Sequence, residues 1–135
     1  EEILLEARIV AVADAAEAML AQRPQRAPLS LNAYIGTQKN LHTGETFEFT
    51  KMYPPMVELA QADGHKAKTM FKFAVDAEAV HADIYTKALE AVKKGVDMDV
   101  KEFYLCPVCG YIELGKAPEK CPVCGAKQAM FTQVA

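Results

Sequence analysis

Apolar residues recur on helical spacing through most of the chain, and that pattern stops near residue 103. From Ile3 to Gln22 the sequence is rich in Ala, Leu, Val and Glu, with no Gly or Pro, which predicts one helix stopped by Pro24. Residues 23–36, RPQRAPLSLNAYIG, carry two prolines and no period, and predict a loop or crossover. A second helix is predicted from about Thr37 or Thr43 to Ala62, with Pro54 and Pro55 kinking it or restarting it one turn later. Ala62-Asp63-Gly64 is a helix-stop signal. The longest predicted helix follows, from about His65 to Lys94. Met70, Phe71, Ala74, Ala77, Val80, Ile84, Ala88 and Val92 form its stripe, and Gly95 ends it. Up to ~30 residues at 1.5 Å each span ~45 Å, a length that suits a helix bundle. After a short linker, GVDMDVKEF, the composition turns to Cys, Pro, Gly and aromatics, as in a small irregular domain with its own fixing device. The expected division is a helical domain over 1–97 and a small domain over 98–135.

A chain of 135 residues has room for one modest domain and a very small one. The net charge of −3 and the absence of a basic stripe argue against a nucleic-acid partner. No apolar run approaches the ~20 residues of a membrane span, and no signal peptide is read. The expectation is a soluble, cytoplasmic protein without nucleic-acid or membrane partners.

All four cysteines lie in two CPVCG knuckles: Cys106, Cys109, Cys121 and Cys124, spaced C-x2-C-x11-C-x2-C. Cysteines two residues apart make poor structural disulfides, whereas four thiolates at this spacing can surround one metal tetrahedrally. Gly110 and Gly125 follow each knuckle, where a positive φ lets backbone N–H groups turn toward sulfur. Tyr104, Tyr111, Ala117, Pro118 and Phe131 supply apolar surface for a metal-centred core. A zinc ribbon and an iron–sulfur electron carrier share this geometry, so the cysteines alone leave the metal open.

The second helix contains GETFEF, with Glu45 and Glu48 at i and i+3. The third contains DAEAVHADIY, with Glu78 and His81 at the same spacing. Each pair therefore shares a helix face. The Glu78–His81 face also carries Ala74, Ala77, Ile84 and Tyr85, the core-facing side, where ionisable groups are costly unless paired or bound to a metal. Taken singly, Glu45 and Glu48 also read as a solvated first turn, and Glu78 and His81 as a polar pair at the edge of the stripe. Together they are the ligand types of dinuclear carboxylate sites in helix bundles, and hard oxygens with imidazole suit iron or manganese. Tyr53 and Tyr85 lie about a turn from these acids, either bonding a ligand carboxylate or simply filling the core.

The succession GETFEF…MYP, AEAVHADIYTKALEAVKKG and YLCPVCGYIELGKAPEKCPVCG, from Glu45 through Val134, resembles the rubrerythrin family. The resemblance implies a mainly α protein: a ferritin-like four-helix bundle with a non-haem di-iron site, joined to a small rubredoxin-like FeS4 domain. It implies a peroxide reductase in oxidative-stress defence, reducing hydrogen peroxide to water with electrons entering through the FeS4 centre. Carried over position by position, it makes Glu45, Glu48, Glu78 and His81 catalytic iron ligands, Glu48 being similar to the ligand that lets one iron shift with redox state. Cys106, Cys109, Cys121 and Cys124 would hold the single iron, with zinc as the alternative metal. A redox-capable partner site in the same chain weights that choice toward iron. The implied partners are a second copy of the chain, with exchanged helices, and a small electron-donor protein or reductase.

The N-terminal third departs from the family pattern. Glu17 stands 28 residues before Glu45, which fits a further metal ligand, but the histidine slot three residues on is Leu20. The preceding glutamate helix has no counterpart before Glu1. Three explanations stand: a missing N-terminal helix, a differently assigned first segment, or two chains that each give their second and third helices to one symmetric site. The competing function is a ferritin-like iron-binding or storage protein with a structural zinc ribbon.

Overall fold

The structure, a computed structural model, describes residues 42–96 and 98–133. The expectations for Ile3–Gln22, for 23–36 and for Glu17 and Leu20 lie outside the described residues. Those described fall into two compact units, one through Asp99 and one from Val100.

In the first unit, residues 42–47 are α-helical, Glu48–Met52 form a π-helical turn, and Tyr53–Ala62 form helix α1. The expected kink at Pro54 and Pro55 is thus a widened turn placed just before them. Neither proline has an N–H to give, and in an unbroken α-helix each ring would strike the carbonyl four residues back. The π register moves those carbonyls aside, and the Tyr53 N–H reaches back to the Glu48 carbonyl instead. Thr46 Oγ1 donates to the His42 carbonyl at 2.7 Å and Thr50 Oγ1 to the Thr46 carbonyl at 2.5 Å, side-chain bonds that favour bending at this point.

Helix α1 ends where the Ala-Asp-Gly signal placed it. Gly64 takes φ 61°, its N–H bonds the Gln61 carbonyl, and the His65 N–H bonds the Ala60 carbonyl, which together make a Schellman stop. Helix α2 then runs over Ala67–Lys93. The His65 ring opens it, with Nδ1 accepting the Ala67 N–H at 3.2 Å and so satisfying one orphan helix donor. The same Schellman bonding closes α2: Gly95 has φ 73°, with Gly95 N–H on the Val92 carbonyl and Val96 N–H on the Ala91 carbonyl. The short connection folds α2 back onto α1 as a helical hairpin. On α2 the buried positions are Ala77, Glu78, His81, Ala82, Ile84, Tyr85 and Val92, one face at three- and four-residue spacing. Tyr53 and Ala60, two turns apart on α1, are also buried. No helix among the described residues is long and apolar enough to cross a membrane.

The second unit is a three-stranded antiparallel sheet in the order β2-β1-β3. Strand β1 is Phe103–Leu105, β2 is Ile112–Leu114 and β3 is Thr132–Gln133. Tyr104 of β1 faces Glu113 of β2 and Gln133 of β3. A 3-10 turn, Gln128–Met130, precedes β3, and the Gln128 side-chain amide ties it to the Ala117 carbonyl at 2.5 Å. The buried residues of this unit are Cys106, Tyr111, Ile112, Ala117 and Cys121. Among the described residues this is a small apolar core, and a metal held by the thiolates would reinforce it.

Candidate metal centres

The hairpin brings Glu45, ahead of the π turn, to Glu78 and His81 on α2. One ligand atom from each lies within 4.8 Å of the others, and all three residues are buried. His81 Nδ1 and Glu78 Oε2 are 2.8 Å apart, the expected consequence of i,i+3 spacing on a helix. Glu45 also shares a hydrogen bond with Glu78. Burial, that bond and the charges of Glu78 and Glu48 push the Glu45 carboxyl up to about 9. Burial raises Glu78 too, but the bonds from His81 and Glu45 and the charge on His81 outweigh it, leaving Glu78 below its ordinary value. Without a metal, the cluster thus favours a proton on Glu45 and the charged form of Glu78. A divalent cation can replace that proton. Two carboxylates and an imidazole, all buried, are a donor set that fits iron or manganese.

Glu48 opens the π turn and is half-buried. It lies outside the group of three, although its charge acts on Glu45. The solvated-first-turn reading therefore fails for Glu45, which is 9% exposed. Tyr85 is 1% exposed, and burial, then the charges on Glu45 and Glu78, hold its hydroxyl protonated. Tyr53 is also buried.

In the second unit the ligand sulfurs of Cys106, Cys109, Cys121 and Cys124 lie within 4.8 Å of one another, and all four thiols are free. Sγ of Cys106 is 3.6 Å from that of Cys124, and Sγ of Cys109 is 3.5 Å from that of Cys121. A tetrahedron with metal–sulfur bonds of ~2.3 Å has edges of about 3.8 Å, so the cage has the size a metal needs. The knuckles match bond for bond. Gly110 N–H bonds the Cys106 carbonyl and Cys106 N–H the Tyr111 carbonyl, while Gly125 N–H bonds the Cys121 carbonyl and Cys121 N–H the Ala126 carbonyl. Gly110 and Gly125 take φ 82° and 76°, the positive values expected of them.

Those turns aim amides at sulfur. The N–H groups of Tyr111, Ala126, and Val123 with Cys124 favour the thiolates of Cys109, Cys124 and Cys121 respectively. Burial outweighs them at Cys109 and Cys124, whose thiols stay raised, whereas at Cys121 the amides prevail over burial and the thiol is lowered. Four sulfurs this close cannot all ionise without a cation among them.

Tyr111 and Phe131, expected to pack around the knuckles, do meet, whereas the hydrogen bond from Tyr111 to Glu113 is not legible from the motifs. The Tyr111 hydroxyl donates to Glu113 Oε2 at 2.5 Å, and its ring meets Phe131 edge-on with centroids 6.4 Å apart. Their period-two spacing, Tyr111 to Glu113, was the available signal. The Tyr104 hydroxyl likewise donates to Glu102 at 3.0 Å.

Comparison with known proteins adds an independent line. The family model described as Rubrerythrin matches residues 17–89, and that described as Rubrerythrin, rubredoxin-like domain matches 104–132. The chain is 37% identical to Rubrerythrin-2 of Clostridium acetobutylicum over 89 residues, covering 65% of this chain and 48% of that protein. It is 41% identical to Nigerythrin of Nitratidesulfovibrio vulgaris over 90 residues, covering 66% of this chain and 43% of that one. A solved structure of nigerythrin in its fully reduced, all-ferrous state superposes with a TM-score of 0.68 at 32% identity, over 93% of this chain and 62% of that one. The chain thus spans about half the length of the curated relatives it matches.

Proposed function

The chain belongs to the rubrerythrin family, a ferritin-like helical domain followed by a rubredoxin-like sheet domain, and from that footing we propose that it is a non-haem di-iron peroxide reductase. Glu45, Glu78 and His81, with Glu48 one turn on, would hold the iron of its carboxylate site. Cys106, Cys109, Cys121 and Cys124 hold the single iron. The observation that carries this reading is the buried Glu45–Glu78–His81 group in the same chain as a four-sulfur cage.

When bound, iron supplies one-electron steps at both centres, so that hydrogen peroxide takes up two electrons and two protons and leaves as two waters. The chain's own residues set the conditions. Glu45 and Glu78 place carboxylate oxygens where a cation would sit, and His81 adds an imidazole nitrogen beside them. Ala77, Ala82, Ile84 and Tyr85 keep the surrounding face of α2 buried, limiting water near the reacting groups. Glu48, half-buried one turn beyond Glu45, is in position to bring protons. At the other centre the N–H groups aimed at Cys109, Cys121 and Cys124 stabilise thiolate charge and so tune the potential.

The partners this reading implies are a second copy of the chain, with exchanged helices, and a small electron donor. The test is metal content, visible spectrum and peroxide consumption of the purified protein. Iron at both centres, a red colour that bleaches on reduction, and peroxide turnover support the reading. A colourless protein holding zinc at the cysteines would favour iron storage with a structural ribbon.

A further inference from the structure

The sheet unit carries its charges unevenly. Lys120 and Lys127 face each other across an isolated antiparallel bridge, both exposed, and neither forms an ion pair among the described residues. Like charges directly opposite one another destabilise a strand pair, so folding alone gives no reason for this one. The two lysines bracket the second knuckle: Lys120 immediately precedes Cys121, and Lys127 follows Cys124 by three residues. Of that knuckle's sulfur residues Cys121 is buried, while Cys124 is partly open to solvent. Lys116 adds a third cation, and between residues 116 and 127 the only acid is Glu119. The unit's other acids, Glu102 beside β1 and Glu113 on β2, accept the Tyr104 and Tyr111 hydroxyls respectively.

We propose that Lys120 and Lys127, with the solvent-open side of Cys124 between them, form the docking surface for a small one-electron donor protein with an acidic face. This rests on the redox reading of the four-thiolate centre given above. One electron passes from the reduced donor, which is oxidised by one electron, to the ferric centre, which becomes ferrous. No bond forms or breaks in the step. A second copy's helical unit is a poor complement for these lysines. Outside Glu45, Glu48 and Glu78, residues 42–99 hold seven acidic and seven basic side chains and so offer no net negative field. A separate acidic protein does offer one, and charge pairs at an interface rim act on its rate of approach.

The experiment uses the full chain in two metal forms with an acidic flavodoxin as the probe. Oxidised flavodoxin titrated into the zinc-loaded chain is expected to shift amide signals over residues 116–127. Affinity should fall as salt rises, and K120E/K127E should weaken it roughly tenfold or more, with K120Q/K127Q intermediate. In the iron-loaded chain, reduced flavodoxin should bleach the variant more slowly by a similar factor, while dithionite bleaches both proteins alike. Unchanged affinity in K120E/K127E, or shifts centred on Glu102 and Glu113, would overturn the proposal. So would lysine-dependent self-association with no flavodoxin binding. If the chain proves to take no iron, the redox reading fails, and the zinc-form titration still decides whether the surface binds.

Discussion

Glu45 and Glu78 stand 33 residues apart in sequence and share a hydrogen bond at a site where they are only 9% and 2% exposed. Two acids so placed cannot both stay charged without a cation, and the metal-free protein answers by keeping a proton on Glu45.

Metal loading should therefore expel that proton. At pH 7, titration calorimetry with ferrous or manganous ion in two buffers of different ionisation heat should report about one proton released per carboxylate cluster. E45Q should release none from this cluster. A wild-type release of zero would contradict the assignment of the proton to Glu45.

The same proton sets a pH dependence for the metal-free form. Glu45 is raised from 4.5 to about 9, so the folded state binds its proton more tightly than the unfolded chain does. Its contribution to stability is complete below pH 4.5, declines as pH rises from there to about 9, and is gone above. Glu78, lowered in the fold, acts in the opposite sense: its contribution holds above its unfolded value and is lost on acidification. Chemical denaturation between pH 5 and 9 should show metal-free stability falling with pH, and E45Q should flatten the fall.

Removing a ligand should empty one centre and spare the other. E78A and H81A are each expected to weaken metal retention at the carboxylate site by at least ~100-fold, since even outer partners of metal ligands cost 10–100-fold. The cysteine site serves as the internal control. Metal analysis after dialysis decides the matter, and full occupancy of the carboxylate site in both variants would rule out these ligands.

Two glycines with open surroundings separate backbone strain from packing. Neither Gly44 nor Gly125 would bring an added methyl within 4 Å of another group, but Gly125 has φ 76°. G125A should cost about 1–2 kcal/mol in the metal-loaded sheet unit. G44A, in the helical stretch 42–47, should stabilise its unit by ~0.5–1 kcal/mol. Equal effects of the two substitutions would contradict the positive-φ knuckle.

Much of this arrangement is legible in the chain because it depends on local rules. Gly64 and Gly95 stop their helices where the sequence places them, and the CPVCG repeats bring both glycine turns with them. Glu78 and His81 meet because i,i+3 residues share a helix face. What escaped depends on register and on pairing between distant segments. Pro54 and Pro55 announce a disturbance, but whether it becomes a kink or a π turn at Glu48–Met52 is settled by which carbonyls the prolines must avoid. The opposition of Lys120 and Lys127 belongs to the same class, a tertiary pairing that no periodicity encodes.

The central claim is that electrons held at the four cysteines reach peroxide through the carboxylate site. The direct measurement is stopped-flow absorbance of the iron-loaded protein, reduced until its red colour bleaches and then mixed with hydrogen peroxide. The expected result is a fast return of the visible band in the wild type and a loss of that fast phase in E78A/H81A, with the cysteine iron intact. A return at the same rate in both proteins, or the absence of any visible band, would contradict the claim.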